Sequence, residues 1–525
     1  MPFLEIGAAN SDKRVPIAMR VSGDYLMCTK SVIPVGLLRR HLAFAALLLT
    51  ILPLLLIRLD TKPSAWFDEG YKMNAAYTLM RYGVYGTLTL DGFIPFDPGT
   101  SSGPVDLGLT ALAFKVLGVG LVQARLISVA FGVMSAYALY RLAGYLYGHP
   151  TAVFISGIAL LFPSLGDVNF ILLSRQVLSE STAVGLILLG LFVWLRQFER
   201  PLWWKSIWAG ALIGAGLLSK TQIAVPLVPA LMVVIGFRIM FLRRNLFHEG
   251  VILAAILSVV GGWMLVGNLL TPPDIRAQNT VLLLDAIRTN ILTDLFLPAP
   301  SSSALMISIL MLVSIFYATR HLQRRDWLQQ PVAQAEIAVG IIILFTLGWY
   351  AMWSVGWPRY SYFGLLLASM VAGSISWKFA QWVGAYLPIR PNFLMGALLA
   401  VLFVWNVLPF LSEPRPNGFN ETIACVREMI PADAVIESWD WQLDAFVGDL
   451  GRIHHPPQNY LFEAIRQFSH DQTTFSLEYD LLQANPSYLI IGPFAEWTSI
   501  YADEDVKNAF VLLEKFGDYS IYGRR

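Results

Sequence analysis

Two adjacent carboxylates, Asp68 and Glu69, stand in the stretch SAWFDEGYKMNAAYTL, residues 64–79, just after the first long apolar run of the chain. At a membrane face such a pair can act as a general base, hold a divalent cation or bind a substrate hydroxyl. Lys72 follows Asp68 at i+4 and shares its helix face. The same acids would equally serve as an ordinary helix N-terminus, set against the positive end of the helix dipole. A second group lies in GDVNFILLSRQVLSESTAV, residues 166–184, where Arg175 and Glu180 fall at the outer end of a candidate span. An ionisable residue costs about 2.5–3.5 kcal/mol at the membrane centre and usually serves function there. Arg175 can snorkel to the interface, whereas Glu180 lies one turn further in. Lys220, in GLLSKTQIAVPL, occupies a short turn between two apolar runs, and Arg359, in GWPRYSYFGLLL, opens another. Each alone is an interface anchor. With Arg175 they make three cations on one face, which suits a phosphate group.

These residues sit in a chain of 525 residues that is 56% hydrophobic and 14% charged. Soluble globular proteins carry about a quarter charged residues. The apolar residues fall in long runs, so the class is a polytopic α-helical membrane protein. A net charge of +1 gives no footprint for nucleic acid, and two cysteines, Cys28 and Cys425, exclude a disulfide framework or a Cys-based metal site. His454 and His455 lack the further ligand spacing of a metal centre and read as loop residues.

About eleven transmembrane helices are expected: Leu42–Ile57, Val122–Tyr145, Thr151–Leu165, Val177–Leu195, Ser206–Leu218, Gln222–Phe237, Val251–Leu270, Ser303–Thr319, Ala335–Trp353, Tyr362–Trp377 and Phe393–Leu411. Basic residues collect on alternate connections: Arg39 and Arg40, Arg141, Arg196 with Arg200 and Lys205, Arg238 with Arg243 and Arg244, Arg320 with Arg324 and Arg325, then Lys378 and Arg390. The excess of Lys and Arg marks the cytoplasmic side and puts the N-terminus there. The apolar run 105–120 would invert every later loop if it spanned, so it reads as a helix lying on the outer face, with Lys115 snorkelling.

Residues 1–41 then form a cytoplasmic tail, not a cleavable signal peptide, because the first apolar run begins only near Leu42. Residues 42–411 form the transmembrane module, with a first outer loop at 58–121 and a second at 268–302 that carries an interfacial helix. The proline-rich stretch SEPRPNGFN leads into a small soluble α/β domain, residues 412–525, outside the cytoplasm. There AVIESW, SYLIIGP and DYSIYGR read as strands, and LFEAIRQF and DVKNAFVLLEKF as helices.

This layout resembles the glycosyltransferase-C superfamily, and is most similar to its family 39, the protein O-mannosyltransferase and lipid A aminoarabinose transferase group. The pieces that carry the resemblance are WFDEGYKMNAAYTLMRYG, SGPVDLGLTALAFKVLGVGLVQARLISVAFG, SRQVLSE, GLLSK, WPRYSY and the terminal SYLIIGP…FGDYSIYGRR, in that order. The resemblance implies a membrane glycosyltransferase, moving a hexosyl or pentosyl group from a polyprenyl-phosphate donor to a lipid, glycan or protein hydroxyl outside the cytoplasm of a bacterial inner membrane. It puts the key acid on Asp68, with Glu69 beside it, and an inverting single displacement. Where the aminoarabinose transferases place a phosphate-binding Lys before the first-loop proline, this chain has Gly103. Lys72, Arg175, Lys220 and Arg359 are then the candidates for the phosphate, with Glu180 joining the acids. No cofactor is assigned. Asp68, Glu69 and Glu180 could make an oxygen site for a divalent cation, and relatives in the superfamily differ in needing one. The competing class is a polytopic transporter or lipid flippase, which also needs polar residues in an apolar bundle but commonly shows repeated halves, which this chain lacks. A scaffold using Trp439 and Trp441 as contact residues is a third reading.

Overall fold

The computed structural model describes residues 35–98, 103–162, 169–242, 246–291, 301–322, 327–411, 417–446, 452–469 and 479–525. The end of the third expected span at Leu165, the basic pairs Arg243–Arg244 and Arg324–Arg325, most of the proline-rich stretch and nearly all of the N-terminal tail lie outside these residues. Two compact units divide at residue 42. Of Met1–Leu42 only the opening turns of the first helix are described. Everything below concerns Ala43–Arg525.

The chain order begins with α1 (Val35–Leu56), α2 (Phe67–Tyr82), the hairpin β1 (Gly86–Thr89) and β2 (Gly92–Pro95), and α3 (Pro104–Leu117). It continues through α4 (Leu121–Tyr147), α5 (His149–Leu161), the short α6 (Phe170–Leu173), α7 (Glu180–Arg196), α8 (Trp203–Ser219), α9 (Ala224–Leu242) and α10 (Leu246–Leu270). Then come α11 (Pro273–Ile291), α12 (Ser301–Leu322), α13 (Pro331–Trp353), α14 (Tyr362–Tyr386) and α15 (Pro391–Leu411). Every one of the eleven apolar runs falls on a helix. Among the described residues six helices are long and apolar enough to cross a membrane: Leu121–Tyr147, Thr221–Met240, Leu246–Leu270, Pro331–Trp353, Pro358–Tyr386 and Pro391–Leu408. The run at 105–120 folds as α3, whose Leu107, Ala111 and Phe114 are buried while Leu109, Leu112 and Val116 are exposed. Residues 268–302 carry α11, a helix that their sequence predicts.

Helix packing sets the site. α7 and α8 lie backbone-close: a Cβ on Gly216 would stand 2.9 Å from the Ala183 carbonyl and 2.6 Å from Ile187. Glu180 opens α7 and Lys220 follows the last residue of α8, so this close pair brings them together. α2 packs on α3 and on the α/β segment that follows α15.

That segment comprises α16 (Phe419–Met429), β3 (Ile436–Glu437), β4 (Ile453–His454), α17 (Gln458–Ser469), β5 (Tyr488–Ile491), α18 (Pro493–Thr498), α19 (Asp503–Ala509), β6 (Phe510–Phe516) and β7 (Tyr519–Arg524). The sheet order is β4-β3-β5-β7-β6, parallel at β3 and antiparallel at β7. The expected helix DVKNAFVLLEKF ends at Ala509: residues 510–516 become β6, paired with β7 from Phe510↔Arg524 to Phe516↔Tyr519. Its run FVLLEKF suits either period, and the partner strand decides. The two histidines are not free loop residues either. His454 lies in β4 with Nδ1 2.5 Å from Glu437, and His455 stacks on Trp441 at 3.9 Å between ring centroids.

The segment does not stand apart from the helices. Trp439, Trp441, Phe494 and Tyr501 share one buried cluster with Phe67 and Tyr71 of α2. A Cβ on Gly70 would collide with the backbone of Trp441 and Gln442, so only glycine admits this approach. The two tryptophans are therefore interior residues, seated against α2.

Candidate active site

The adjacent acids of α2 part company. Neighbouring residues on an α-helix point about 100° apart. Asp68 keeps 30% of its side-chain surface exposed, while Glu69 keeps 1%. Glu69 receives both arms of Arg125 from α4: Nε to Oε1 at 2.9 Å and Nη2 to Oε2 at 2.6 Å. Its Oε1 also accepts from the Val177 amide at 2.9 Å. Arg125 donates in addition to the Leu59 carbonyl at 2.9 Å. This bidentate, fully buried pair ties α2 to α4 and to the turn before α7. It holds Glu69 away from Asp68's partners, which corrects the expectation of a paired acid centre.

Arg175 is a second correction. Its guanidinium donates to the carbonyls of Leu54 and Ile57, and to that of Lys62 at 2.9 Å. Leu54 and Ile57 lie at the C-terminal end of α1, where helix carbonyls lack intrahelical partners, and Lys62 lies in the loop that follows. Arg175 thus closes a helix end and does not join the phosphate candidates.

The other five candidates converge. Asp68 pairs with Arg359, which sits at the start of the span Pro358–Tyr386. Arg359 Nε lies 3.9 Å from Glu180 Oε1, and Lys220 Nζ lies 2.9 Å from the same oxygen. Arg359 also lies over the Trp357 ring at 4.4 Å. Lys72 projects from the Asp68 face of α2, as its i+4 spacing predicts, and donates to Ser179 Oγ at 2.7 Å. Ser179 holds a left-handed backbone (φ 65°) immediately before α7 and in turn donates to Asp106. Thr182 completes Asp106's shell at 2.9 Å.

Burial would raise the Asp68 carboxyl, but Arg359, Lys220 and Lys72 outweigh it, and its pKa falls below the usual carboxylate value. Burial and the neighbouring Lys220 lower the Lys72 ammonium to about 8, against the pull of Asp106, Glu180 and Asp68. Asp68 is therefore a charged acceptor at neutral pH, and Lys72 titrates just above it.

Sequence reasoning missed Asp106, Ser179 and Arg125. The signal for two of them was present: Asp106 lies in the first turn of an apolar helix, and Arg125 one turn inside a candidate span. Ionisable residues in such places ask for a partner. Nothing in the sequence singled out Ser179.

A divalent cation at this site would need Asp68, Glu69 and Glu180 to turn their oxygens to one point. Glu69 is turned onto Arg125, and the other two carboxylates face cations, so the three do not make an oxygen site. Among the described residues no group of three His, Cys, Asp or Glu could hold a metal ion.

Beside this cluster lies a cavity of about 650 Å³, walled by α8, α9, α10, α11 and the end of the first loop. Its lining is mainly aliphatic and aromatic, including Leu231, Ile256, Val260 and Trp263, with Asp97, Arg276 and Asn279 among its polar members. Leu218 and Thr221, on either side of Lys220, line it too, as does Gly103. A Cβ on Gly103 would stand 2.7 Å from Leu218 Cβ and 3.1 Å from its backbone. A lysine here would have to displace α8, which explains physically why the position is glycine.

Residues 101–264 match the family model described as dolichyl-phosphate-mannose-protein mannosyltransferase. No curated protein matches the sequence. Among solved structures, ArnT from Cupriavidus metallidurans bound to undecaprenyl phosphate is similar with a TM-score of 0.63 at 11% identity, over 93% of this chain and 98% of that one. The same protein in the apo state gives 0.58. The archaeal oligosaccharyltransferase AglB from Archaeoglobus fulgidus, in complex with an inhibitory peptide and a dolichol-phosphate, gives 0.53 at 12% identity, over 93% of this chain and 74% of that one. At these identities the likeness is one of fold.

Proposed function

We propose that this chain is a glycosyltransferase of the C superfamily, whose fold it resembles, and that it moves a sugar from a polyprenyl-phosphate donor to an acceptor hydroxyl. One observation carries the reading: a cluster of three cations and an ionised, half-exposed carboxylate lies beside an apolar cavity of about 650 Å³ that is lined along α10 from Leu253 to Gly267. The polar and apolar parts of one amphipathic donor are thus served side by side.

In the proposed reaction the lipid tail occupies the 650 Å³ cavity, and the phosphate meets Lys220, Arg359 and Lys72. The acceptor oxygen attacks the anomeric carbon, forming a new C–O bond, while the carbon–phosphate-oxygen bond breaks and its electron pair leaves on the phosphate. The hydroxyl proton passes to Asp68. Fixed cations stabilise the leaving group as its charge develops. A single displacement inverts the anomeric centre.

The resting pairs give this step an order. The space enclosed by Glu180, Lys220, Arg359 and Tyr362 is only about 10 Å³, room for one water at most. A phosphate therefore needs Arg359 to part from Asp68. The arriving donor takes Arg359's charge and frees Asp68 for the acceptor. Glu180 remains behind Lys220 and Arg359 and keeps both pointed forward. Glu69 and Arg125 act at one remove, by fixing α2.

The division proposed is a tail at 1–41, a transmembrane module at 42–411 and an extracytoplasmic α/β segment at 412–525, with the site on the outer side of a bacterial plasma membrane. The test is to identify by mass spectrometry the lipids that co-purify with the full chain, then assay transfer from a polyprenyl-phosphate sugar. Asp68→Asn is expected to lower the rate by about 10²–10⁴ with unchanged melting. Near-normal transfer by a folded Asp68→Asn variant would sink the assignment.

A further inference from the structure

Three indoles surround the Asp68–Arg359 pair and have no part in the chemistry described above. Trp66 precedes Asp68 by two residues, Trp357 precedes Arg359 by two, and Trp497 comes from α18 of the α/β segment. They are joined into one line of rings. Trp66 meets Phe494 edge to face at 5.6 Å, Phe494 meets Trp497 at 5.6 Å, and Trp497 meets Trp357 edge to face at 6.3 Å. Phe67 stacks on Phe494 at 3.9 Å and closes the line onto α2. Phe67 and Phe494 are buried, whereas the three indoles are each half-exposed.

This arrangement differs from a membrane belt. Interfacial tryptophans in this chain, such as Trp203, Trp204 and Trp208, are 47–60% exposed on the outside of the helix bundle. Trp66, Trp357 and Trp497 instead pack through one another across the junction of the first loop, the α14 entrance and the α/β segment. Trp66 stands at 81° to Phe494 and Trp497 at 87° to Trp357, so the line of rings turns a corner. At its foot lie a carboxylate and a guanidinium.

Resting on the function proposed above, we infer that this corner is the acceptor subsite and that its occupant is a saccharide. A pyranose has an apolar C–H face and a rim of hydroxyls. The face suits a rigid, half-exposed indole, which supplies contact area at little entropic cost. The rim suits Asp68, Arg359 and the exposed Glu496 next to Trp497. A ring stacked on Trp66 carries its hydroxyls toward Asp68, two residues away. An extended peptide that binds by strand addition needs a free strand edge, whereas Trp66 and Trp357 each cap a helix and Trp497 lies within one. An aliphatic acceptor would leave the charged foot of the corner unpaired. Because Trp497 belongs to the α/β segment, that segment contributes to choosing the acceptor.

The experiment measures saccharide binding to the purified full chain with no donor present, by tryptophan fluorescence and saturation-transfer NMR. The probes are malto-, cello-, chito- and mannopentaose. At least one is expected to bind, about tenfold more weakly to Trp497→Ala and near-normally to Trp497→Phe, with both variants melting like the wild type. A wild-type chain that cleaves a polyprenyl-phosphate sugar yet binds none of the probes would overturn the inference and leave the proposed function standing. Binding that ignores Trp497→Ala would also overturn it. Binding that depends on Trp497 in a chain that cleaves no such donor would keep the saccharide subsite and remove the transferase reading.

Discussion

A base for an attacking hydroxyl must be charged, reachable and close to the leaving group's partners. Asp68 meets all three conditions and Glu69 meets none beyond the charge its partner Arg125 matches. The two acids therefore fail differently when neutralised. Glu69→Gln leaves a buried guanidinium without its carboxylate, a loss of about 3–5 kcal/mol. The expected outcome is a marked fall in melting temperature and yield, read by thermal unfolding in detergent, with transfer preserved in whatever folds. A variant that melts normally but has lost transfer would put Glu69 in contact with substrate.

Lys72 gives a test in pH. Its ammonium titrates at about 8 in the fold against 10.5 in a free chain. Above pH 8 the phosphate loses one of its three cations, so the KM for donor is expected to rise. Lys72→Arg should remove that alkaline limb. Stability moves the other way over the same range. Between 8 and 10.5 the unfolded chain binds more protons than the folded one, so stability grows with pH until both forms are neutral.

At the scale of elements, α2 carries the chemistry and borrows its rigidity. Tyr71 donates to Asp97 at 2.5 Å, Asn74 holds the β1 hairpin through Leu88 and also donates to Asp444, and Gly70 admits the turn at Trp441. Gly70→Ala is expected to force α2 and that turn apart, costing about 1–3 kcal/mol as overpacking commonly does. Limited proteolysis should then release the α/β segment more readily, and transfer should fall together with its docking. Unaltered proteolysis and activity would show that the close approach is dispensable.

The helices themselves were legible, because eleven apolar runs need only local composition to declare themselves. So was the i, i+4 relation of Asp68 and Lys72, which is a property of one helix. β6 was not, since FVLLEKF fits two periods and only β7 selects between them. Arg175 and Glu69 were misplaced for a common reason. Charge and position in the chain are local, but a partner such as the α1 carbonyls or Arg125 is fixed only when distant helices pack. Glu180, Lys220 and Arg359 meet because each lies at a helix end.

At the scale of the whole unit Ala43–Arg525, a helical bundle packs against a sheet-bearing segment, and a cavity of about 650 Å³ lies beside the charged cluster. Filling the cavity separates tail binding from chemistry. Val260→Trp, on the cavity wall, is expected to raise the KM for a long-chain donor by about tenfold. A donor with a single isoprene unit should be affected little, and kcat should hold. Equal effects on long and short donors would place the tail elsewhere.

The contact between α2 and the turn at 441–446 also governs how the protein is made. Asn74 and Asp444 lie 370 residues apart. At about 5–20 residues per second of synthesis, the acid-bearing helix emerges on the order of 20–70 s before its partner. Until then the Trp441 side of α2 is uncovered and Gly70 faces no one. A ribosome-bound or truncated chain thus holds Asp68 without the frame that aims it. The frame around Asp68 is complete only when the last-made residues have closed over the first-made ones, so under the proposed function a nascent chain is expected to leave lipid-linked donor untouched while it is being inserted.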